Sequence, residues 1–275
     1  MYILQLSSTP STNTYLKALC KSTQPRNPIC VITDTQTQGR GQFENTWEGN
    51  PKENIYTSIF FPIKENNIQF AQNPFQIAML SSLAIVNTLK KMGFQEVCIK
   101  WPNDIYYHNK KIAGILIENI WQNKSVAISD KTSCTLTGCI IGVGLNVLQE
   151  KFKTTKASSL KMLQKEILEK QFITPLTTQS IRVIHKTLLV ELEKLWNAGL
   201  SYTILQKQYE QYLYLKNTKA SFIIKDKIVT GIIQGVTDQG KLTVEVQYNV
   251  AQQETHKRVH KEIQTFGLKE IVFCQ

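Results

Sequence analysis

The chain lacks several features that mark particular classes of protein. No apolar run approaches the roughly 18–20 residues that cross a bilayer. The N-terminus has no basic segment followed by an apolar stretch, which argues against a secretory signal peptide. The six cysteines form no Cys-x-x-Cys pair, and no closely spaced histidine pair accompanies them, so a zinc site is not expected. These absences predict a cytoplasmic protein with reduced thiols.

The composition is that of a globular protein with an excess of positive charge. Hydrophobic residues make up 42% of the 275 residues, which excludes intrinsic disorder and collagen-like fibres. There are 32 Lys and Arg residues against 21 Asp and Glu residues, a formal net charge of +11. Such an excess favours an anionic partner, such as nucleic acid, a nucleotide or an acidic protein. Lysines scattered along a chain can also serve solubility alone, so the charge by itself leaves both interpretations open.

Hydrophobic periodicity divides the chain into a mixed α/β part and a β-rich part. Ser11 is a predicted helix N-cap. The predicted helices lie at 76–92, at 181–196 and after Gly199, and the predicted strands lie at 30–33, 54–61, 98–101, 112–121 and 139–147, with a polar turn-rich stretch at 125–133. From Lys219 onward, short strands alternate with turns, and Asp238-Gln239-Gly240 predicts a hairpin. We expect a domain at 1–215 and a small β-barrel domain at 216–275.

Two polar segments in the first quarter of the chain could bind a ligand. Ser11-Thr12-Asn13 stands at a helix start, where backbone N–H groups point towards bound anions, although simple N-capping explains it equally well. Gly39-Arg40-Gly41 lies in a long polar loop that ends at Trp47. Glycine lets the backbone approach phosphate, and arginine offers a fork to its oxygens. The loop matches neither a Walker A nor a dinucleotide-binding pattern, and a flexible surface loop is the alternative.

Further candidate ligand-binding residues, polar side chains and glycines, lie within or beside the predicted strands. Asn103-Asp104 follows Trp101-Pro102, and these side chains could hold Mg²⁺ or form an Asx turn. Lys111 could neutralise a phosphate or carboxylate, or lie in a solvated hairpin turn. The glycines of Gly142-Val143-Gly144-Leu145-Asn146 could admit a ligand close to the backbone or form a β-bulge.

Together, in this order, these segments resemble the biotin protein ligase family over nearly the whole chain. The resemblance rests on Ser-Thr-Asn, GRG-x₅-W, KWPND at 100–104, KIAGILIE at 111–118, G-x-G-x-N at 142–146 and Ala-Ser-Ser-Leu at 157–160. It implies an α+β fold, with a mixed, largely antiparallel sheet packed with helices as in class II synthetases, followed by an SH3-like β-barrel.

The resemblance also implies a reaction in two steps. Biotin and MgATP give biotinyl-5′-AMP and pyrophosphate, and a lysine of a biotin carboxyl carrier protein then displaces AMP. The carrier would belong to acetyl-CoA carboxylase or another biotin-dependent carboxylase. The resemblance allows a homodimer and implies no membrane association. Only ten residues precede Ser11, so we do not expect the DNA-binding domain that some members use as a repressor.

Site residues follow from the same resemblance. The implied biotin-binding residues are Ser11, Thr12, Asn13, Gln36, Gly39, Arg40, Gly41, Lys111, Gly114 and Gly144. The implied nucleotide-binding residues are Arg40, Trp47, Asn103, Lys111 and Asn146. Lys111, Arg40 and Asp104 are the implied catalytic residues, and Asp104 could contact phosphate-bound Mg²⁺.

The loop departs from the family's arginine-rich pattern. Where the pattern reads GRGRRGRxW, this chain reads GRGQFENTW, so Gln42, Phe43 and Asn45 replace arginines and Glu44 replaces glycine. We expect the loop to hold an adenylate less tightly. A lipoate or octanoate ligase of the same superfamily and a basic nucleic-acid-binding module remain alternatives.

Overall fold

The computed structural model describes residues 1–64, 68–125, 132–168, 175–250 and 258–274, so most of the predicted turn-rich stretch at 125–133 falls outside the described residues. Six helices are described: α1 (Thr12–Thr23), α2 (Gln69–Gln72), α3 (Phe75–Lys91), α4 (Leu160–Leu168), α5 (Thr178–Asn197) and α6 (Tyr202–Gln211). The first seven strands are β1 (Tyr2–Leu6), β2 (Ile29–Thr33), β3 (Asn54–Pro62), β4 (Val97–Lys100), β5 (Asp104–Tyr107), β6 (Lys110–Ser125) and β7 (Thr132–Asn146). Five more follow: β8 (Lys219–Ile224), β9 (Lys227–Val236), β10 (Leu242–Val250), β11 (Arg258–Phe266) and β12 (Val272–Phe273).

The first seven strands form one sheet in the order β1-β2-β3-β7-β6-β5-β4. β1 pairs with β2 in parallel, and the other neighbouring strands of this sheet pair antiparallel. This arrangement confirms the predicted α+β class with a mixed, largely antiparallel sheet. None of the described helices is long and apolar enough to cross a membrane.

Helices lie on both faces of this sheet, and the strand pattern explains which side chains meet them. Along β3, Ile55 and Ile59 point into the large core that includes residues of α3 and α5. Ser58 and Phe60 point to the opposite face, where α1 lies across β3 and β7. Since successive strand residues face opposite sides, one face becomes an apolar core while the other retains polar groups near the start of α1.

The last five strands form an antiparallel sheet in the order β11-β10-β9-β8-β12. The predicted hairpin at 238–240 is confirmed, and Gly240 takes a left-handed φ of 77° there. The Trp101 indole N–H donates to the Gly240 carbonyl at 2.9 Å, and the Tyr202 hydroxyl donates to the Thr237 carbonyl at 2.7 Å. These contacts attach the small sheet firmly to the rest of the chain. The division into domains at residue 215 stays a prediction.

The sequence pattern did not predict β1, β5, β11, α2 or α4. β1 is an edge strand whose Tyr2 and Ile3 are exposed, so burial imposes no alternation on it. β5 has four residues and directly follows the Pro102 turn. β11 carries mostly polar residues and exposes Ile263. Each of these three strands is short or exposed, and pairing with a neighbour rather than its own pattern determines its structure.

Candidate active site

A pocket of about 700 Å³, including its open mouth, lies on the α1 side of the sheet. Its floor contains glycines of two neighbouring strands, with Gly114 of β6 paired to Gly144 of β7. A Cβ on Gly114 would lie 2.8 Å from Cζ3 of Trp47, and one on Gly144 would lie 2.3 Å from its Cε2. The Trp47 indole therefore lies directly on the glycine pair, which only residues without side chains permit.

The start of α1 joins the floor through a buried polar network. Ser11 is the N-cap of α1, but its side chain makes no cap hydrogen bond, so capping does not account for the hydroxyl. Thr12 donates its backbone N–H to Oε1 of Gln36 at 2.9 Å. The Ser58 hydroxyl lies 2.6 Å from both Oγ1 of Thr12 and Oδ1 of Asn13. Buried polar groups with such partners are fixed in orientation, which suits recognition of a small polar ligand.

Asn13 links this network to a partly buried carboxylate. Its Nδ2 donates to Oε2 of Glu118 at 2.9 Å and to the Leu116 carbonyl at 3.3 Å. Burial acts to raise the pKa of the Glu118 carboxyl, but hydrogen bonds from Asn13 and Lys17 and the nearby charge of Arg40 outweigh it, so the pKa lies below its ordinary value. Glu118 is therefore an anion that orients Asn13 from behind.

Lys111 and Asp104 form an ion pair at the other end of the pocket. Nζ of Lys111 lies 2.7 Å from Oδ1 of Asp104 and 5.5 Å from the centre of the Trp47 ring. The backbone of Lys111 accepts a hydrogen bond from Ser158 and donates one to Lys156, so residues 156–158 form a strap beside it. The ammonium thus sits at a fixed place where negative charge can be neutralised.

Asn146 and Asn103 hold backbone near this ion pair. Asn146 is buried, and its Nδ2 donates to the Ser158 carbonyl at 3.0 Å, which fixes the strap; its Oδ1 has no hydrogen-bond partner among the described residues. The side-chain amide of Asn103 donates to the Ile115 carbonyl, and the backbone carbonyl of Asn103 accepts the Ile115 N–H at 3.0 Å. Both amides therefore support the pocket wall through backbone contacts.

The loop at 39–47 is a short hairpin over the pocket. The Trp47 N–H donates to the Gly39 carbonyl at 2.9 Å, and the Gly41 N–H donates to the Asn45 carbonyl at 2.7 Å. Nη1 of Arg40 lies 3.3 Å from Oγ1 of Thr14 and 3.8 Å from Oε1 of Glu118, and the side chain is half exposed. Arg40 therefore stays available to a ligand while its loop is anchored at both ends.

The structure brings most of the predicted site residues together. The pocket is lined by Ser11, Thr12, Asn13, Gln36, Arg40, Gly41, Trp47, Asn103, Asp104, Lys111, Gly114 and Gly144. Gly39 and Asn146 do not line it: Gly39 closes the loop turn, where a Cβ would lie 2.6 Å from the Trp47 carbonyl oxygen, and Asn146 holds the strap. Lys100 also lies outside the lining, with its Nζ about equally far from the Tyr106 and Phe273 ring centres, at 4.9 and 5.0 Å.

Sequence reasoning missed two residues of the network. Ser58 is fully buried and joins Thr12 to Asn13, and Glu118 anchors Asn13 although its motif suggested no role for it. Polar residues inside the predicted strand at 54–61 were an available signal for Ser58, because buried hydroxyls need partners. Glu118 lacked such a signal, since its partners lie about a hundred residues away in the chain.

Beneath the pocket, a buried histidine contacts the sheet from the opposite side. Nε2 of His185 lies 3.1 Å from Oγ1 of Thr57, which in turn lies 3.2 Å from Sγ of Cys30. Burial lowers the pKa of His185 to about 4 and raises that of the Cys30 thiol to about 11. Both groups are neutral at pH 7, and their contacts are structural.

Comparison with known proteins finds similarity to biotin and lipoate ligases. Residues 6–134 match the sequence model of the biotin/lipoate A/B protein ligase family. The bifunctional ligase/repressor BirA of Escherichia coli is 25% identical over 241 residues, covering 86% of this chain and 66% of that protein. Biotin–protein ligase 1, chloroplastic, of Arabidopsis thaliana is 32% identical over 124 residues, covering 45% of this chain and 30% of that protein. The chain thus spans about two thirds or less of the length of these relatives.

Solved structures share the fold over 95% or more of the chain. The biotin protein ligase of Aquifex aeolicus in complex with biotin and ATP superposes with a TM-score of 0.65 at 18% identity, covering 100% of this chain and 99% of that one. The biotin acetyl coenzyme A carboxylase synthetase of Helicobacter pylori, with bound biotinylated ATP, gives a TM-score of 0.56 at 19% identity, covering 95% and 99%. At these identities the likeness concerns the fold.

Proposed function

We propose that this chain, part of which matches the biotin/lipoate A/B protein ligase family, catalyses the ATP-dependent attachment of biotin to a lysine of a biotin carboxyl carrier domain. The observation that carries the proposal is that one pocket gathers the Ser11–Asn13 segment, the loop at 39–47, and the Lys111–Asp104 pair. Relatives named as biotin–protein ligases support the choice of biotin over lipoate.

Biotin would lie on the glycine floor between the start of α1 and Lys111. Its ureido ring offers donors and an acceptor to the fixed groups of Ser11, Thr12 and Asn13, and the Gly114–Gly144 pair gives room for the two fused rings. Its carboxylate would then reach the ammonium of Lys111. Trp47, which covers the same glycines, has to shift towards the loop when the ligand enters.

The first step joins a carboxylate to a phosphorus atom. A biotin carboxylate oxygen attacks the α-phosphorus of ATP, the bond to the bridging oxygen breaks, and pyrophosphate leaves with the electron pair. Lys111 neutralises charge on both reactants and on the transferred phosphate, and Arg40 supplies a second cation from the loop. The loop then shields the mixed anhydride from water.

Magnesium fits this pocket as a companion of the triphosphate. Among the described residues that line the pocket, Asp104 is the only carboxylate, and no group of three or more potential metal ligands is found in the described part of the chain. Mg²⁺ commonly binds through one or two carboxylates together with substrate phosphates, so Asp104 would hold it. The ion would supply charge neutralisation at the phosphates.

The second step transfers the acyl group. The ε-amine of the carrier lysine attacks the activated carbonyl, an amide forms, a proton leaves the nitrogen, and AMP departs with the electron pair of the broken anhydride bond. The carrier would be a subunit of acetyl-CoA carboxylase or another biotin-dependent carboxylase, and the positive net charge of +11 would favour an acidic partner. The cytosol is the proposed compartment, since it supplies ATP and keeps thiols such as Cys30 reduced.

The test is ATP-dependent labelling of a purified biotin carboxyl carrier domain with biotin, run beside lipoate and a lipoyl domain. We expect labelling with biotin only. Lys111→Ala should lower kcat/KM by about 10²- to 10³-fold because a preorganised charge is lost. Lys21→Ala, an exposed lysine at the end of α1, serves as the matched control. Absence of labelling by the native chain would overturn the proposal, and labelling with lipoate would favour the lipoate ligase.

A further inference from the structure

The tip of the loop at 39–47 touches the C-terminal sheet. Nζ of Lys269, in the turn between β11 and β12, lies 3.9 Å from the centre of the Phe43 ring. An ammonium over an aromatic face at this distance makes a cation–π interaction. Phe43 stands where the family's loop pattern has an arginine, and an arginine would repel Lys269 instead.

The loop at 39–47 is held at its base and contacted at its tip. Its two ends are joined by the Trp47–Gly39 hydrogen bond, and Gln42 and Asn45 near the tip line the pocket. The Phe43 ring leaves this lining and is 57% exposed, with Lys269 over its face. The contact with the C-terminal sheet therefore falls on a loop residue that does not line the pocket.

The backbone at both contact residues supports a specific arrangement. Phe43 has a φ of 58° and Lys269 a φ of 67°, both in the left-handed region that residues with side chains adopt rarely. Such conformations persist where the surroundings hold them, and they often mark functional contacts. In the β11–β12 turn, the Gly267 N–H donates to Oε2 of Glu270 at 2.6 Å, which fixes the turn that presents Lys269.

We propose that Lys269 is a positioning residue: its ammonium holds the Phe43 ring and keeps the loop closed over the pocket. The C-terminal sheet then controls how readily the loop opens. If the chain has the proposed function, the contact also sets how long the acyl-adenylate stays bound before the carrier lysine arrives. The interaction compensates in part for the arginines that this loop lacks.

Limited trypsin cleavage after Arg40 measures how often the loop opens, and the experiment needs no substrate. The full chain is compared with Lys269→Ala, Lys269→Met, Phe43→Leu and the Phe43→Leu/Lys269→Ala double variant, and the 1–40 fragment is followed over time. We expect about two- to fivefold faster cleavage in each single variant, as befits an exposed cation–π pair, and no further increase in the double variant. Lys269→Arg should restore the native rate, because arginine keeps the charge over the ring.

Lys219→Ala removes another exposed lysine of the same sheet and is the matched control. Cleavage at the native rate in the single variants, or multiplied effects in the double variant, would overturn the proposal. A second measurement follows dissociation of the acyl-adenylate, which we expect to be two- to fivefold faster in the same variants. If the native chain forms no adenylate, the proposed function fails, while the trypsin experiment still decides the role of Lys269.

Discussion

The floor of the pocket and the loop above it are held in place by different means. The floor consists of paired strands, and its Asn13–Ser58–Thr12 network is buried. The loop is largely exposed, with Phe43 resting on one lysine and Arg40 half free. A rigid floor suits recognition of a ligand of fixed shape, and a weakly held loop suits entry and retention. Substitutions in the floor should therefore have much larger effects than substitutions in the loop.

Gly142→Ala compared with Gly41→Ala gives the sharpest contrast. A Cβ on Gly142 would lie 2.1 Å from Oδ1 of Asn13, whereas one on Gly41 would lie 3.3 Å from Cβ of Asn45. The floor variant has to displace Asn13 and deprive Glu118 of its amide partner, so we expect biotin binding to weaken by about 10³-fold. Gly41→Ala should change the affinity for biotin by less than about threefold, because an exposed loop can adjust to the added methyl group. Calorimetric titration with biotin measures both, and equal losses would contradict the contrast.

The buried His185, beneath the floor, should make the stability of the fold depend on pH. Because folding lowers its pKa from 6.5 to about 4, the unfolded chain binds a proton where the folded chain does not. The stabilisation from the neutral imidazole is complete above pH 6.5 and is lost as pH falls towards 4. We expect a decrease on the order of 3 kcal/mol in the free energy of unfolding between pH 7 and pH 4. Denaturant unfolding of His185→Gln should lack most of this decrease, and His260→Gln, an exposed control, should retain it.

The sequence predicted the floor better than the contacts that hold it. Gly142 and Gly144 stand in an apolar strand, where their cost to stability indicates either a close approach to a ligand or a β-bulge, and the family resemblance added Gly114. Asn13 and Glu118, by contrast, meet only because the fold places the start of α1 beside β6, and no local pattern records that placement. The contact between Phe43 and Lys269 joins residues more than two hundred positions apart, and both side chains are exposed, so neither periodicity nor burial marks it. Local patterns identify elements, but their packing decides which side chains meet.

Asp104→Asn perturbs the edge of the floor while leaving the backbone unchanged. The variant removes the charge that lies 2.7 Å from Nζ of Lys111, in a pair whose side chains are 24% and 32% exposed. We expect adenylation in a single turnover to slow by about tenfold at saturating Mg²⁺, since a partly exposed pair contributes modestly and the lysine remains. Glu96→Gln breaks the exposed pair with His108 and is the control. An unchanged rate would show that Asp104 orients neither Lys111 nor the metal.

Gln42→Arg should have the smallest effect and act on the loop alone. Gln42 lines the pocket where the family's pattern has an arginine, so the substitution returns a cation to the side facing the adenylate phosphate. An exposed charge-assisted contact of this kind should slow dissociation of the acyl-adenylate by about three- to fivefold and leave biotin affinity unchanged. Gln38→Arg makes the same substitution on an exposed residue outside the pocket lining. A change in biotin affinity would contradict the separate roles of floor and loop. Equal effects of Gln42→Arg and Gln38→Arg would show that net charge, rather than the position of the arginine, retains the acyl-adenylate.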